Sequence, residues 1–472
     1  MSRRTAKSTG LRLGLGVVAL AVGGAVVAAA VLVPLPTLSE TPAGRIVTPV
    51  ALDQQRVCGG SLLRLSGDSG ASATSVSAVG TAATVTAAGG GDAPTTKTLA
   101  GADGTGSDPL LVTAASGGST TVPLVAAAQS ASSATSDLTG FAASSCAEPT
   151  SSTWLVGGST DTGRTTLISL VNPTDVNSTV DLSVFGESGT VDGPGLTGIV
   201  VAPNSQKVVP LSGFATGLTS PVVHVTSTGG QIVADLQVSV VRTLRAGGLD
   251  TVSASAAPAS TVTVPGIVVR GGDALQAKAA EDGYGDLVTA LRVFVPGDAN
   301  ADLSIQLRTA DGTGATFTET AEAGQVDDIP LDGLKTGTYT ATVQSSQPIV
   351  AGVRSSTIGA GGVTDLSWAA AAPALDGETL FTVPAGPEAT LTLANPTSRA
   401  VTTSLAVRGK ATVTLSVPAG GSVTRAVNAR AVGSIRDGDG LRASISFNSS
   451  TQIASYALES PTAVSRPVTV YP

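Results

Sequence analysis

The chain has 472 residues, a formal charge of −8, 13% charged side chains and 3% aromatic ones. Residues 1–44 hold Arg3, Arg4, Lys7 and Arg12 against Glu40, which leaves 22 basic and 33 acidic side chains in the remainder. That acidic remainder, with no Lys/Arg cluster, argues against nucleic acid and anionic headgroups as its partners.

Residues 1–12 read as a basic cytoplasmic tail. Residues 13–33 follow without a charge or a strongly polar side chain. Such a run rises to roughly 30 Å as a helix, the thickness of a bilayer's hydrocarbon core. Flanking positive charge stays on the cytoplasmic side, so the segment is predicted to be a transmembrane signal anchor, with a linker over 34–44 and the rest outside the cytoplasm. A second reading is a signal peptide cut after Ala28 and Ala30, which would give a secreted chain.

Cys58 and Cys146 are the two cysteines. Outside the cytoplasm they are predicted to pair, closing a loop of nearly ninety residues and constraining the unfolded chain by on the order of 4–5 kcal/mol in the entropy model.

Internal repeats set the expected architecture. An alternating strand, a tight turn and a second alternating strand recur around Asn172-Pro173-Thr174-Asp175, Pro296-Gly297-Asp298 and Asn395-Pro396-Thr397-Ser398. Alternation is the signal of a half-buried strand, and Pro and Asx supply the turn chemistry. A run of small residues ending in proline closes each repeat, at Pro149, Pro258, Pro373 and Pro461.

Four modules are therefore predicted, 45–149, 150–258, 259–373 and 374–472. The fold class is all-β: tandem immunoglobulin-like β-sandwiches behind an N-terminal helix. Arg45–Val50 reads as the opening strand of the first module. Residues 66–135 are rich in Gly, Ala, Ser and Thr, and read as weak strands with a mobile loop near Ala88–Gly106. Ala274 to Asp282 is the one candidate for a short helix. Placed in line, four modules would form a rod of about 100 Å, from typical strand length and rise.

Candidate chemistry is sparse. His224, the one histidine, sits in an alternating strand, and Gly157-Gly158-Ser159 lacks the rest of a nucleophile elbow. Asp327-Asp328 and Asp437-Gly438-Asp439 read as turn residues rather than a carboxylate pair. No metal, cofactor or catalytic residue is assigned, and an enzyme is not expected.

CGGSLLRL at Cys58, WLVGGST at Trp154, the LVNPTD turn and VVHVTSTGGQIVADLQVS together resemble a family of actinobacterial envelope proteins, catalogued as a domain of unknown function, number 5719. The resemblance implies an N-terminal membrane helix, an extracytoplasmic body and no established activity. The functional expectation is a non-catalytic envelope scaffold, in contact with the bilayer through 13–33 and with an envelope protein or cell-wall glycan. The alternatives are a glycan-binding array, drawing on Trp154, Trp368, Tyr284 and Tyr339, and a carboxylate-based glycoside hydrolase.

Overall fold

The structure is a computed structural model that describes residues 14, 16–26, 45–47, 50–65, 75–102, 108–461 and 468–470. Within the expected anchor, residues 14 and 16–26 are helical. No helix among the described residues is long and apolar enough to cross a membrane. The tail 1–12, the linker 34–44 and the rest of 13–33 lie outside the described residues.

The chain divides into two compact units. One holds both chain ends, Met1–Pro49 and Arg466–Pro472; the other is Val50–Ser465. In the first, Arg45–Val47 pairs antiparallel with Val468–Val470. The strand expected to open the first module is thus paired with the far end of the chain, and Gln54–Cys58 is the first strand of the larger unit.

The second module shows the plan. One sheet runs Ser152–Val156, Val222–Gly229, Ser178–Gly186, Gly189–Val191, with Ile199–Val201 also on Ser178–Gly186; the other runs Ser205–Pro210, Arg164–Asn172, Val233–Arg242, Arg245–Val252. Every pairing is antiparallel. Leu155, Val180, Leu182 and Val225 from the first sheet and Ile168, Leu170 and Leu236 from the second share one core. Along Ser178–Gly186, Val180, Leu182 and Val184 are buried while Thr179, Asp181 and Ser183 are exposed, as a strand with one wet face requires.

The fourth module repeats the plan with four strands per sheet. In the third, the 22-residue strand Gly337–Ile358 serves both sheets, its first half pairing with Ala259–Val269 and Ala301–Thr309, its second with Ala290–Phe294 and Thr364–Ala370. A helix at Gly272–Ala279 lies close to the stretch where one was expected.

The first module is reduced to two three-stranded sheets and a small hairpin. Thr95–Thr98 forms an edge strand inside the segment expected to be loop, paired with Leu110–Ala114. All four of its residues are exposed, so it carries no apolar alternation that a sequence reading could detect. The disulfide Cys58–Cys146 is formed and sits in this module's core with Val112, Val125 and Ala127.

The repeated turns owe their shape to a buried asparagine. Asn172 donates to Val176 O at 2.8 Å and Val201 O at 3.1 Å, and its Oδ1 accepts the Thr174 N–H at 3.0 Å and hydroxyl at 2.7 Å. Asn395 makes the same four bonds, to Arg399 O, Val417 O and the Thr397 N–H and hydroxyl. At the third turn, buried Val295 stands in the asparagine's place. Asn172→Ala and Asn395→Ala each strand one buried carbonyl, Val201 O or Val417 O, and one half-buried carbonyl, Val176 O or Arg399 O. Each is expected to cost about 2 kcal/mol, measured by urea unfolding, and a cost under 0.5 kcal/mol at both sites would refute the role.

The modules do not run in line; they close into a ring. Leu62, Val79 and Leu138 of the first pack with Leu249 of the second. Val156 and Val222 of the second pack with Phe294 and Val350 of the third. Arg270 of the third donates to Asn448 of the fourth at 3.1 Å. Ala128, Phe141 and Ala143 of the first complete the core of the fourth. The rod is therefore corrected: each module packs against two neighbours, which the end modules of an in-line array cannot do.

Candidate functional site

One strand from each module packs at the ring's centre. These strands are Thr139–Ser145, Arg245–Val252, Thr364–Ala370 and Ile453–Ala457. On the third lies Asp365, fully buried. Its carboxylate accepts backbone N–H groups from the other three modules: Phe141 at 3.2 Å, Leu249 at 3.2 Å and Ile453 at 3.3 Å. Asp250 of the second module, also fully buried, accepts the N–H of Trp368 from the third at 2.7 Å. Burial pushes both carboxyls well above their usual range, against the N–H donors that pull them down, and Asp365 adds to the rise at Asp250.

The two aspartates occupy the same place in the repeat, eight residues before Pro258 and Pro373. The same count back from Pro149 and Pro461 lands on Phe141 and Ile453, the two outer donors to Asp365. Gly140 lets this centre close: at φ 153° its backbone passes so near that an added Cβ would lie 2.4 Å from Asp365 Oδ1.

A cavity of about 530 Å³ opens between the second and third modules. Arg292, fully buried in the strand Ala290–Phe294, reaches across beside it. It pairs with Asp328 at 2.7 and 2.9 Å and donates to Gly158 O, Pro221 O and Thr219 O of the second module. Asp286 joins Arg164 at 3.0 Å and Arg242 at 2.6 Å. Burial works to raise both carboxyls, but Arg242 and Arg164 hold Asp286, and Arg292 holds Asp328, below the ordinary carboxylate range. Both are thus clamped as anions, the opposite of the raised acid that glycoside hydrolysis needs.

Neighbouring Asp327 and Asp328 point to opposite faces of the strand Val326–Pro330, as consecutive strand residues do, so they are not a facing pair. Asp437 sits in a turn at φ 58°, and Asp439 accepts the Gly377 N–H. His224 lies half-buried, stacked on Trp154 at 4.1 Å with Nε2 2.9 Å from Ser152 Oγ; burial lowers its pKa. It does not line the cavity, whereas Ser159 does. Trp368 and Tyr339 are buried and Trp154 packs at the junction with Phe185 and Phe294. No group of three or more metal-ligating side chains occurs among the described residues.

A second cavity, of about 500 Å³, lies where the linkers meet. Pro149, Pro258 and Pro373 all border it, with Glu148 and Glu459. The closing prolines of three repeats thus converge at one place.

Residues 98–430 match the model of a family of unknown function, DUF5719. The chain belongs to that family. The match begins inside the first module and ends inside the fourth, so in this DUF5719 member it takes in Phe141, Leu249 and Asp365 but stops short of Ile453. No curated protein sequence matches the chain. Among solved structures, one similar to part of it is the crystal structure of Thermotoga maritima 1070, at 17% identity and a TM-score of 0.19, covering 24% of this chain and 93% of that one.

One more acid falls between modules. Asp235 of the second lies beside Gly59 of the first, and burial pushes its carboxyl up to about 7. A carboxyl raised in the folded state stabilises the fold most below its unfolded value near 4, and that contribution is lost as pH rises through 7. Wild type is expected to lose roughly 2 kcal/mol relative to Asp235→Asn between pH 4 and pH 7, allowing for partial solvent access. Parallel pH–stability curves for the two proteins would contradict this.

Proposed function

We propose that the chain is a non-catalytic, membrane-tethered envelope protein whose four modules, each read as an immunoglobulin-like sandwich, act as one rigid body that holds a partner outside the cytoplasm. The observation that carries this reading is the ring closed on Asp365. One carboxylate of the third module joins backbone from the other three, so the surfaces around the ring keep fixed positions, which suits a scaffold. The uncharged run at 13–33 behind a basic tail supports the tether, and the disulfide suits an oxidising compartment.

Of the aromatics that the glycan reading draws on, Trp368 and Tyr339 are buried, while Trp154 and Tyr284 are half-buried. The test is fractionation and in situ cross-linking of the full chain in intact cells. The expected result is resistance to carbonate extraction, release by detergent and a discrete cross-linked envelope protein. Recovery in the soluble fraction with a shortened N-terminus would refute the tether. Retention by isolated wall polysaccharide, with no protein cross-link, would replace the scaffold by a glycan-binding array.

A further inference from the structure

The cavity between the second and third modules is lined by Arg164 and Arg354 and by Asp161, Asp286 and Asp328, and Arg242 and Arg292 reach its carboxylates from beside it. Arg164, Arg242, Arg292 and Arg354 stand at or beside it. Asp286 serves two of them and Asp328 a third. Asp161, also on the wall, accepts the Thr219 hydroxyl at 3.1 Å.

Arg354 is the one without a carboxylate in direct contact, although Asp328 and Asp286 act on its charge from nearby. Among the described residues its sole hydrogen bond is a long one, Nη2 to Val288 O at 3.4 Å, and its buried Nε has no partner. Its guanidinium stands 5.8 Å from the Trp368 ring, and burial acts against its charge. A planar fork of donors in this state is matched by an oxyanion, whose two oxygens can take parallel N–H bonds. The walls around it include Thr162, Thr165 and Ser239, which carry hydroxyls, and apolar Val238 and Leu366, while the Ser159 hydroxyl is engaged with Leu218 O and the Asp161 N–H. Hydroxyls and amphipathic walls suit a polyol, and about 530 Å³ is the size of a small-molecule site.

We propose that this cavity binds an acidic sugar, its carboxylate or phosphate held by Arg354 and its hydroxyls by the serine and threonine walls. The site is independent of the tether, because it lies wholly between the second and third modules.

The test is calorimetric titration of the full chain in detergent with glucuronate, glucose 6-phosphate, glucose and inorganic phosphate. At least one charged sugar is expected to bind ten-fold or more tighter than glucose and than inorganic phosphate; which one does so separates carboxylate from phosphate. Arg354→Gln is expected to weaken it 10- to 100-fold. Because that variant removes a largely buried group, phenylglyoxal modification of wild-type Arg354, read by mass spectrometry, supplies a second measurement: the bound sugar should slow it. No binding by any probe, equal binding of glucose, equal binding of inorganic phosphate, or unchanged affinity in a folded Arg354→Gln protein would each overturn the assignment. So would a modification rate that the sugar leaves unchanged.

Discussion

Asp365→Ala is expected to cost about 4–6 kcal/mol of unfolding free energy, because it leaves buried N–H groups of three modules without an acceptor at about 1–3 kcal/mol each. The donors are Phe141, Leu249 and Ile453. Asp365→Asn keeps the volume and one acceptor oxygen. It is expected to cost less than alanine, since either the Leu249 bond or the Phe141 and Ile453 pair survives. Urea unfolding of the disulfide-intact chain, followed by tryptophan fluorescence, reads both. Asp365→Ala within 1 kcal/mol of wild type would mean that the centre is held by apolar packing alone.

Arg292→Met carries the second large effect, about 3–5 kcal/mol. Methionine fills much of the space, but Asp328 is left as a buried carboxylate without its partner. The carbonyls of Gly158, Pro221 and Thr219 lose their donor as well. The damage should be local to the junction of the second and third modules. Trp154 and Trp368 both border that junction, so their emission should shift before the bulk of the β signal is lost. Adding Asp328→Leu should recover part of the loss, because the double variant no longer buries a lone charge. A double variant no more stable than Arg292→Met would show that the carbonyl bonds, rather than the ion pair, dominate.

Much of the local structure was legible in the sequence. Alternation marked Ser178–Gly186, and the Asn-Pro-Thr sequences marked the turns between successive strands, though not the burial of their asparagines. The legible features share one property: the interaction is made by side chains inside one module, so period and spacing report it. Ring closure was not legible, because its donors are backbone N–H groups. Phe141, Leu249 and Ile453 read as ordinary apolar strand residues, and nothing in their side chains says that the main chain serves another module.

Arg292 misleads a period-two reading for a related reason. Leu291 and Val293 face their own core, which assigns the opposite face to water. That face meets the second module instead, as Phe294 beside it confirms. A trace was nonetheless present: Asp250 and Asp365 are lone charges in small-residue runs, each eight positions before a closing proline. A charge repeated at one register of a buried strand is costly unless it is paired or hydrogen-bonded, and that cost was the available clue.

Closing the ring on Asp365 also sets a schedule. Synthesis runs from the N-terminus, so Phe141 and Leu249 emerge before the carboxylate that receives them, and Ile453 emerges almost ninety residues after it. The first three modules can each fold their sheets as they appear, yet the centre stays open to water until the last few dozen residues arrive. A chain stopped after Pro373 would keep a half-served carboxylate and an exposed flank on its first module, where Phe141 should meet Phe447. Completion of the hairpin of Arg442–Asn448 with Ile453–Ala457 is then the event that seals the first three modules around Asp365.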